Sequence, residues 1–104
     1  MERTILELEE ERRLWSIKTF PKSTALSSLQ KLKTEVEEIE KDIISGIWRP
    51  EEYADVLMCL FESGSRQVPP IYPEDIFKAF ETKLSINKQR DWIANEDNTY
   101  SHLK

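Results

Sequence analysis

The chain has 104 residues, of which 34% are charged and only two are glycine. This length suits one small domain, and the composition favours helices over a turn-rich β fold. The net charge of −5 argues against a protein that coats nucleic acid, because such domains usually carry a basic patch.

Four helical segments are predicted, over about residues 2–18, 24–46, 51–65 and 73–92. The first is highly charged and has an imperfect apolar face. It ends before Pro21, because the residue that precedes a proline is pushed out of the α region. The second is amphipathic, with Ser23 or Thr24 to cap its start and Gly46 to end it.

The third predicted helix is apolar around most of its circumference, so we expect it to be central and buried. The fourth begins at Pro73. Residues 95–104 are polar and are expected to form a loose tail, and no strand is predicted. The sequence therefore predicts an all-α class, with residues 1–94 forming one small four-helix bundle. A chain this short has a modest core, which oligomerisation would complete.

No membrane segment or secretion signal is predicted. No apolar run approaches the roughly 18 residues needed to cross a membrane, and residues 1–11 lack an apolar signal region. The lone cysteine, Cys59, is expected to be a small core residue. A soluble cytoplasmic protein is the expectation. Residues 1–62 carry 14 acidic against 9 basic side chains, whereas residues 63–104 carry 6 of each. Cations could therefore sit on the first part, and anions could approach the second.

Two carboxylate pairs lie on consecutive predicted helices. Glu35 and Glu38 are three residues apart on the second helix, and Glu52 and Asp55 have the same spacing on the third. If the two helices turn back on each other, the pairs face across the seam. Four carboxylates at close range repel one another and need protons or cations to coexist. Hard divalent cations such as Mg²⁺ take oxygen ligands, and this many carboxylates favours more than one ion.

Both carboxylate pairs could alternatively be ordinary solvent-exposed residues on the surfaces of their helices. Glutamate-rich helices are commonly solvated, and Glu37 and Glu40 have that character here. Asp55 fits this alternative less well, because it is the single charge between Tyr53 and Phe61 and a buried charge is costly without a partner. Asp55 could still be a hydrogen-bonding residue of the core.

The fourth predicted helix turns from apolar to cationic along one face. Lys83, Asn87 and Arg90 follow i, i+4, i+7 spacing and could reach phosphate oxygens. Alternatively they form an ordinary helix end, where cations favour the C-terminal dipole. Trp15 and Phe20, near the first helix–loop junction, could stack on a base, although aromatic residues more often belong to a core or interface.

The carboxylate motif resembles that of the all-α nucleoside triphosphate pyrophosphohydrolases of the MazG-like superfamily. It reads Glu35-x-x-Glu38, thirteen intervening residues, then Glu52-x-x-Asp55. More narrowly, the chain is similar to the short dATP/dGTP diphosphohydrolases of phages and bacteria, including the MazZ-type enzymes. Three stretches carry this similarity: LWSIKTF at 14–20, LQKLKTEVEEI through EEYADVLMCL, and KLSINKQRDW at 83–92.

The resemblance implies a Mg²⁺-dependent enzyme, with Mn²⁺ as an alternative and more than one ion per site. It implies four metal ligands: Glu35, Glu38, Glu52 and Asp55. Glu38 would orient a metal-activated water for attack at the α-phosphorus. The substrate would be a purine deoxynucleoside triphosphate, dATP or dGTP, and the products a monophosphate and pyrophosphate.

The resemblance also implies substrate contacts and partners. It places four residues in the substrate-contacting segment: Lys83, Asn87, Arg90 and Trp92. It implies a homo-oligomer, dimer or tetramer, in a bacterial or phage-infected cell, with neither nucleic acid nor membrane as partner. The alternative function is a non-catalytic helical adaptor, such as one encoded by a phage. Such a protein would turn over no nucleotide and would keep its fold and its partner without metal.

Overall fold

The computed structural model describes residues 2–103 and contains four α-helices and two short β-strands. The helices are α1 (Ile5–Thr19), α2 (Ala25–Ile44), α3 (Pro50–Ser65) and α4 (Pro73–Gln89), and the strands are β1 (Trp92–Ala94) and β2 (Tyr100–His102). The all-α class is confirmed. The chain divides into two compact units, residues 1–74 and residues 75–104.

Local sequence signals explain where the helices of the first unit begin. The side chain of Thr4 accepts a hydrogen bond from the Glu7 amide, and Glu7 accepts one in return from the Thr4 amide, which closes a capping box on α1. Thr24 caps α2 through the same reciprocal bonds with Ser27. Pro50 occupies the first turn of α3, where its missing amide hydrogen costs nothing.

Helices α2 and α3 form the most extensive helix pair of the first unit, and α1 packs on α3. Only residues 45–49 connect α2 to α3, so the two helices run antiparallel. The connection begins with a Schellman-type turn. The amide of Ile47 donates to the carbonyl of Asp42 at 2.8 Å, and the amide of Gly46 donates to the carbonyl of Ile43 at 3.1 Å. This turn brings the end of α2 beside the start of α3.

Gly46 has a φ of 69°, in the left-handed region, and open space surrounds the position of an added Cβ. We therefore expect Gly46→Ala to lower the free energy of unfolding by about 1 kcal/mol through backbone strain alone. Gly46→Asn should cost less, because asparagine tolerates the left-handed region. Urea denaturation of both variants measures the difference, and equal stability of Gly46→Ala and wild type would contradict this reading of the turn.

Helix α3 is less buried than its composition predicts. Burial is concentrated at its C-terminal end, at residues 61–64, whereas Tyr53, Met58 and Leu60 are exposed. Among the described residues, Phe61 is the one large apolar side chain classed as buried. The expectation of a central, buried α3 is therefore wrong for the isolated chain, because α1 and α2 cover only part of its apolar circumference.

The second unit contains most of α4 and a β-hairpin that the sequence does not predict. Strands β1 and β2 pair antiparallel, with Trp92 opposite His102 and their rings edge-to-face at 5.8 Å. Asp97 accepts hydrogen bonds from the amide and the hydroxyl of Thr99 and so orders the turn. The expected loose tail is thus ordered into a hairpin. Three-residue strands show no usable alternation of polar and apolar residues, so side chains in the turn and one aromatic pair define it.

No helix among residues 2–103 combines the length and the apolar character needed to cross a membrane.

Candidate metal centre and adjoining cavity

Three carboxylates converge between α2 and α3. Glu35 comes from α2, and Glu52 and Asp55 come from successive turns of α3. One oxygen of each lies within 4.8 Å of the others. Glu35 and Glu52 are half-buried and Asp55 is exposed, so the group opens to solvent. Three negative charges at this separation repel one another, and a divalent cation with oxygen ligands relieves that repulsion.

The raised pKa of Glu52 reflects burial and the repulsion between neighbouring carboxylates. Burial raises the pKa of Glu52 above its ordinary value, and the negative charge of Asp42 raises it further. Asp55 and Glu35 act in the same direction, whereas Arg49 opposes the shift. A carboxyl whose ionisation is resisted by three neighbouring carboxylates gains most from a cation. The chemistry of the group therefore fits a metal centre.

Arg49, at the N-terminal cap of α3, bridges two acidic side chains beside this centre. Its Nη1 lies 3.5 Å from Oδ1 of Asp42 and 3.7 Å from Oε1 of Glu52. The other carboxylate oxygen of Asp42 is buried and has no hydrogen-bond partner among the described residues. Asp42 lies seven residues after Glu35, two turns along the same face of α2. Asp42 was not predicted as a site residue, although that spacing was the available signal.

Glu38, the fourth predicted ligand, does not belong to the group of three. It lies one turn after Glu35 on α2, its side chain is about half exposed, and its Oε1 is 3.6 Å from Nζ of Lys41. The structure thus brings together three of the four predicted carboxylates and leaves Glu38 at the edge. Glu35 is itself paired, since its Oε1 lies 3.1 Å from Nζ of Lys31.

A cavity of about 740 Å³ adjoins the carboxylates within the first unit. Trp15 and Phe20 line one side, with ring centroids 5.1 Å apart in an edge-to-face arrangement. Lys31 and Cys59 line it where α2 meets α3. Cys59 follows Asp55 by one helical turn and is half-buried, and burial raises the pKa of its thiol. The three carboxylates do not line the cavity themselves; Lys31, which pairs with Glu35, and Cys59 connect its wall to them. The cavity also reaches the two aromatic rings predicted to contact a base.

A buried ionic network forms another part of the cavity wall. Glu62 of α3 accepts a hydrogen bond from Nη1 of Arg12 at 2.8 Å and from the hydroxyl of Ser16 at 2.8 Å. Arg66 donates to Glu62 at 3.1 Å and also to the carbonyl of Phe20 at 3.1 Å. The network therefore ties α1 and the loop after it to the end of α3.

The pKa of Glu62 is well below its ordinary value. Burial by itself opposes ionisation, but hydrogen bonds from Arg12, Ser23 and Ser16 and the charge of Arg66 outweigh it and lower the pKa to about 2. Glu62 was not predicted as a site residue. The available signal was the one noticed for Asp55, an acidic residue directly beside an apolar run.

The remaining predicted substrate residues lie in the second unit. Lys83 and Asn87 occupy α4 one turn apart, and Arg90 follows the end of that helix. Asn87 accepts two hydrogen bonds from this group. Its side-chain oxygen accepts one from Nη1 of Arg90 at 3.4 Å, and its backbone carbonyl accepts one from the indole nitrogen of Trp92 at 2.9 Å. Asn87 thus contacts two of the other three predicted residues, Arg90 and Trp92, around the end of α4.

Comparison with known proteins gives matches of three kinds. The model of the dATP/dGTP pyrophosphohydrolase family matches residues 8–104. A dATP/dGTP diphosphohydrolase of Salmonella phage PMBT28 is 30% identical over 89 residues, which cover 86% of this chain and 28% of the phage protein. The chain therefore matches only a little over a quarter of that relative's length.

A solved structure has the same fold. It is the MazG-like pyrophosphohydrolase of cyanophage S-2L, bound to dGDP and three catalytic Mn²⁺ ions per active site. The TM-score is 0.76 at 24% sequence identity, over 99% of this chain and 100% of that one. This similarity establishes the fold, and the family match covers nearly the whole sequence. The chain belongs to the dATP/dGTP pyrophosphohydrolase family.

Proposed function

We propose that this chain hydrolyses a purine deoxynucleoside triphosphate, dATP or dGTP, to the monophosphate and pyrophosphate. The observation that carries the proposal is the convergence of Glu35, Glu52 and Asp55 beside the 740 Å³ cavity, in a member of a family of pyrophosphohydrolases. A cavity of that size can accept a nucleoside, and the carboxylates border the end of its wall that Lys31 and Cys59 form.

The proposed cofactor is Mg²⁺, with Mn²⁺ able to replace it and more than one ion per site. When bound, such ions polarise phosphoryl oxygens and lower the pKa of a coordinated water. Glu35, Glu52 and Asp55 would hold them, because carboxylate oxygens are the ligands that both ions accept. The cyanophage relative contains three Mn²⁺ ions, which supports a site for several divalent cations.

The protein's own groups would supply orientation and proton transfer. Glu38, one turn from Glu35 and outside the group of three, is proposed to orient the attacking water towards the α-phosphorus. The rings of Trp15 and Phe20 pack edge-to-face, and we propose that a base stacks against this pair. Lys83, Asn87 and Arg90, with Trp92, are proposed to hold phosphate or sugar.

We also propose that the active form is a homo-oligomer, a dimer or a tetramer. Large apolar side chains are exposed in the first unit, among them Ile44 at 86% and Trp48 at 89%. A second copy of the chain would cover such residues and bury more apolar area than one small core provides. Light scattering on the purified chain measures the assembly. The enzyme would act in the cytoplasm of a bacterial or phage-infected cell.

One assay separates this function from the non-catalytic adaptor. The chain is incubated with each common NTP and dNTP and Mg²⁺ or Mn²⁺, and monophosphate and pyrophosphate are both quantified. We expect release of both products from dATP or dGTP, and loss of all turnover with excess chelator at an unchanged circular dichroism spectrum. Absence of products across the panel with either metal would favour the adaptor.

A further inference from the structure

Lys31 lies at the junction between the carboxylate group and the cavity. Its Nζ is 3.1 Å from Oε1 of Glu35, and its side chain also lines the cavity. The side chain is 67% exposed, so its four-carbon stem is free to swing between the two. Among the described residues of the cavity wall, no other side chain forms an ion pair with a member of the three-carboxylate group.

Divalent ions bound to the three carboxylates would make the surroundings of Lys31 less negative. Without metal, the ammonium faces Glu35, and the negative charge of Asp55 also attracts it. Hydrogen bonding to Glu35 raises the pKa of Lys31, so the group stays cationic. Divalent cations on the same carboxylates would compete for the oxygen of Glu35 and repel the ammonium. Lys31 then needs another anion within reach of its stem.

We propose that Lys31 exchanges partners, holding Glu35 in the metal-free chain and binding a phosphate oxygen of the nucleotide once divalent ions occupy the carboxylates. This inference rests on the proposed function, because it assumes that the nucleoside fills the cavity and the phosphates lie at its carboxylate end. Lys31 is then a phosphate-binding residue that also keeps the carboxylate group partly neutralised before metal arrives. An ammonium is suited to this role, since it forms point-charge contacts with either a carboxylate or a phosphate.

The test compares Lys31→Gln, Lys31→Arg and the control Lys33→Gln. Lys33 is exposed on α2 and lies about 200° round the helix from Lys31, so its replacement makes the same charge change away from Glu35. Mn²⁺ affinity is measured by calorimetry without nucleotide, and KM and kcat are measured with dATP and dGTP at saturating Mn²⁺.

Relative to Lys33→Gln, Lys31→Gln should bind Mn²⁺ about two- to threefold more tightly, the effect of removing a surface ion pair that competes with the metal. It should also raise KM about tenfold with a smaller change in kcat, because a charged hydrogen bond to substrate is lost. Lys31→Arg should keep both values near those of wild type.

Two results would overturn the exchange while leaving the proposed function intact. One is an unchanged or weakened Mn²⁺ affinity in Lys31→Gln, and the other is an unchanged KM in an active Lys31→Gln enzyme. A wild-type chain that releases no pyrophosphate from any nucleotide would instead refute the proposed function, and the proposed phosphate contact of Lys31 with it.

Discussion

Replacing Asp55 with asparagine is expected to lower kcat/KM for the preferred dNTP by at least about a hundredfold. Bound metal supplies several kcal/mol of transition-state stabilisation, and each 1.4 kcal/mol is about a factor of ten in rate. Asp55 is one of three converging ligands, and an amide oxygen carries no full negative charge to hold a divalent ion. Because Asp55 is exposed, the variant should stay folded. Mn²⁺ affinity, the circular dichroism spectrum and pyrophosphate release measure these three expectations.

Two further variants make the Asp55 experiment specific. Glu37→Gln removes one negative charge from the exposed side of α2 and should change neither Mn²⁺ affinity nor rate. Glu38→Gln should lower kcat and affect Mn²⁺ affinity less than Asp55→Asn does, because Glu38 lies outside the group of three. Unchanged pyrophosphate release by Asp55→Asn would refute the metal assignment. Equal losses of Mn²⁺ affinity in Asp55→Asn and Glu38→Gln would make Glu38 a ligand instead.

Replacing Glu62 with glutamine is expected to lower the free energy of unfolding by about 3–5 kcal/mol at neutral pH. Glu62 is 8% exposed and accepts hydrogen bonds from Arg12 and Arg66. Its loss removes the carboxylate partner of Arg66 and leaves Arg12 paired with Glu9 alone. Glutamine has nearly the same shape, which makes the expected loss electrostatic. Denaturation with urea at one fixed protein concentration measures it, since assembly would otherwise contribute.

The contribution of Glu62 to the free energy of unfolding should depend on pH in a defined direction. The pKa of Glu62 is about 2 in the folded chain against an ordinary value of 4.5, so the folded state favours the ionised form. The stabilisation is therefore fully present above about pH 5 and is lost as the pH falls towards 2. A pKa difference of this size between the folded and unfolded states corresponds to about 3 kcal/mol in the free energy of unfolding. The stability gap between wild type and Glu62→Gln should accordingly narrow at acidic pH.

An exposed ion pair provides the control for Glu62. Arg13 and Glu10 are three residues apart on α1, and the Glu10 side chain is 57% exposed. Glu10→Gln should cost less than about 1 kcal/mol, because water screens the pair. A Glu62→Gln variant as stable as Glu10→Gln, or a gap from wild type that is equal at pH 7 and pH 3, would show that the buried network contributes little.

Local signals in the sequence determined the helix boundaries and predicted a carboxylate metal site. The capping residue Thr24, Pro50 at the start of α3 and the left-handed Gly46 each act within a few residues, so the helix boundaries could be predicted closely. Glu52 and Asp55 could be paired from spacing alone, because a three-residue step keeps two side chains on one helical face. The family resemblance depended on those same motifs, and the family match confirms it.

Contacts between distant residues were decided only by the tertiary structure. Packing of α2 on α3 selected Glu35, Glu52 and Asp55 and left Glu38 at the edge, because a helix pair presents a narrow seam that spacing along one helix does not define. Packing of α1 on α3 joined Glu62 to Arg12 across 50 residues of sequence. The hairpin at residues 92–102 escaped prediction because cross-strand contacts stabilise it, rather than any periodicity within its strands.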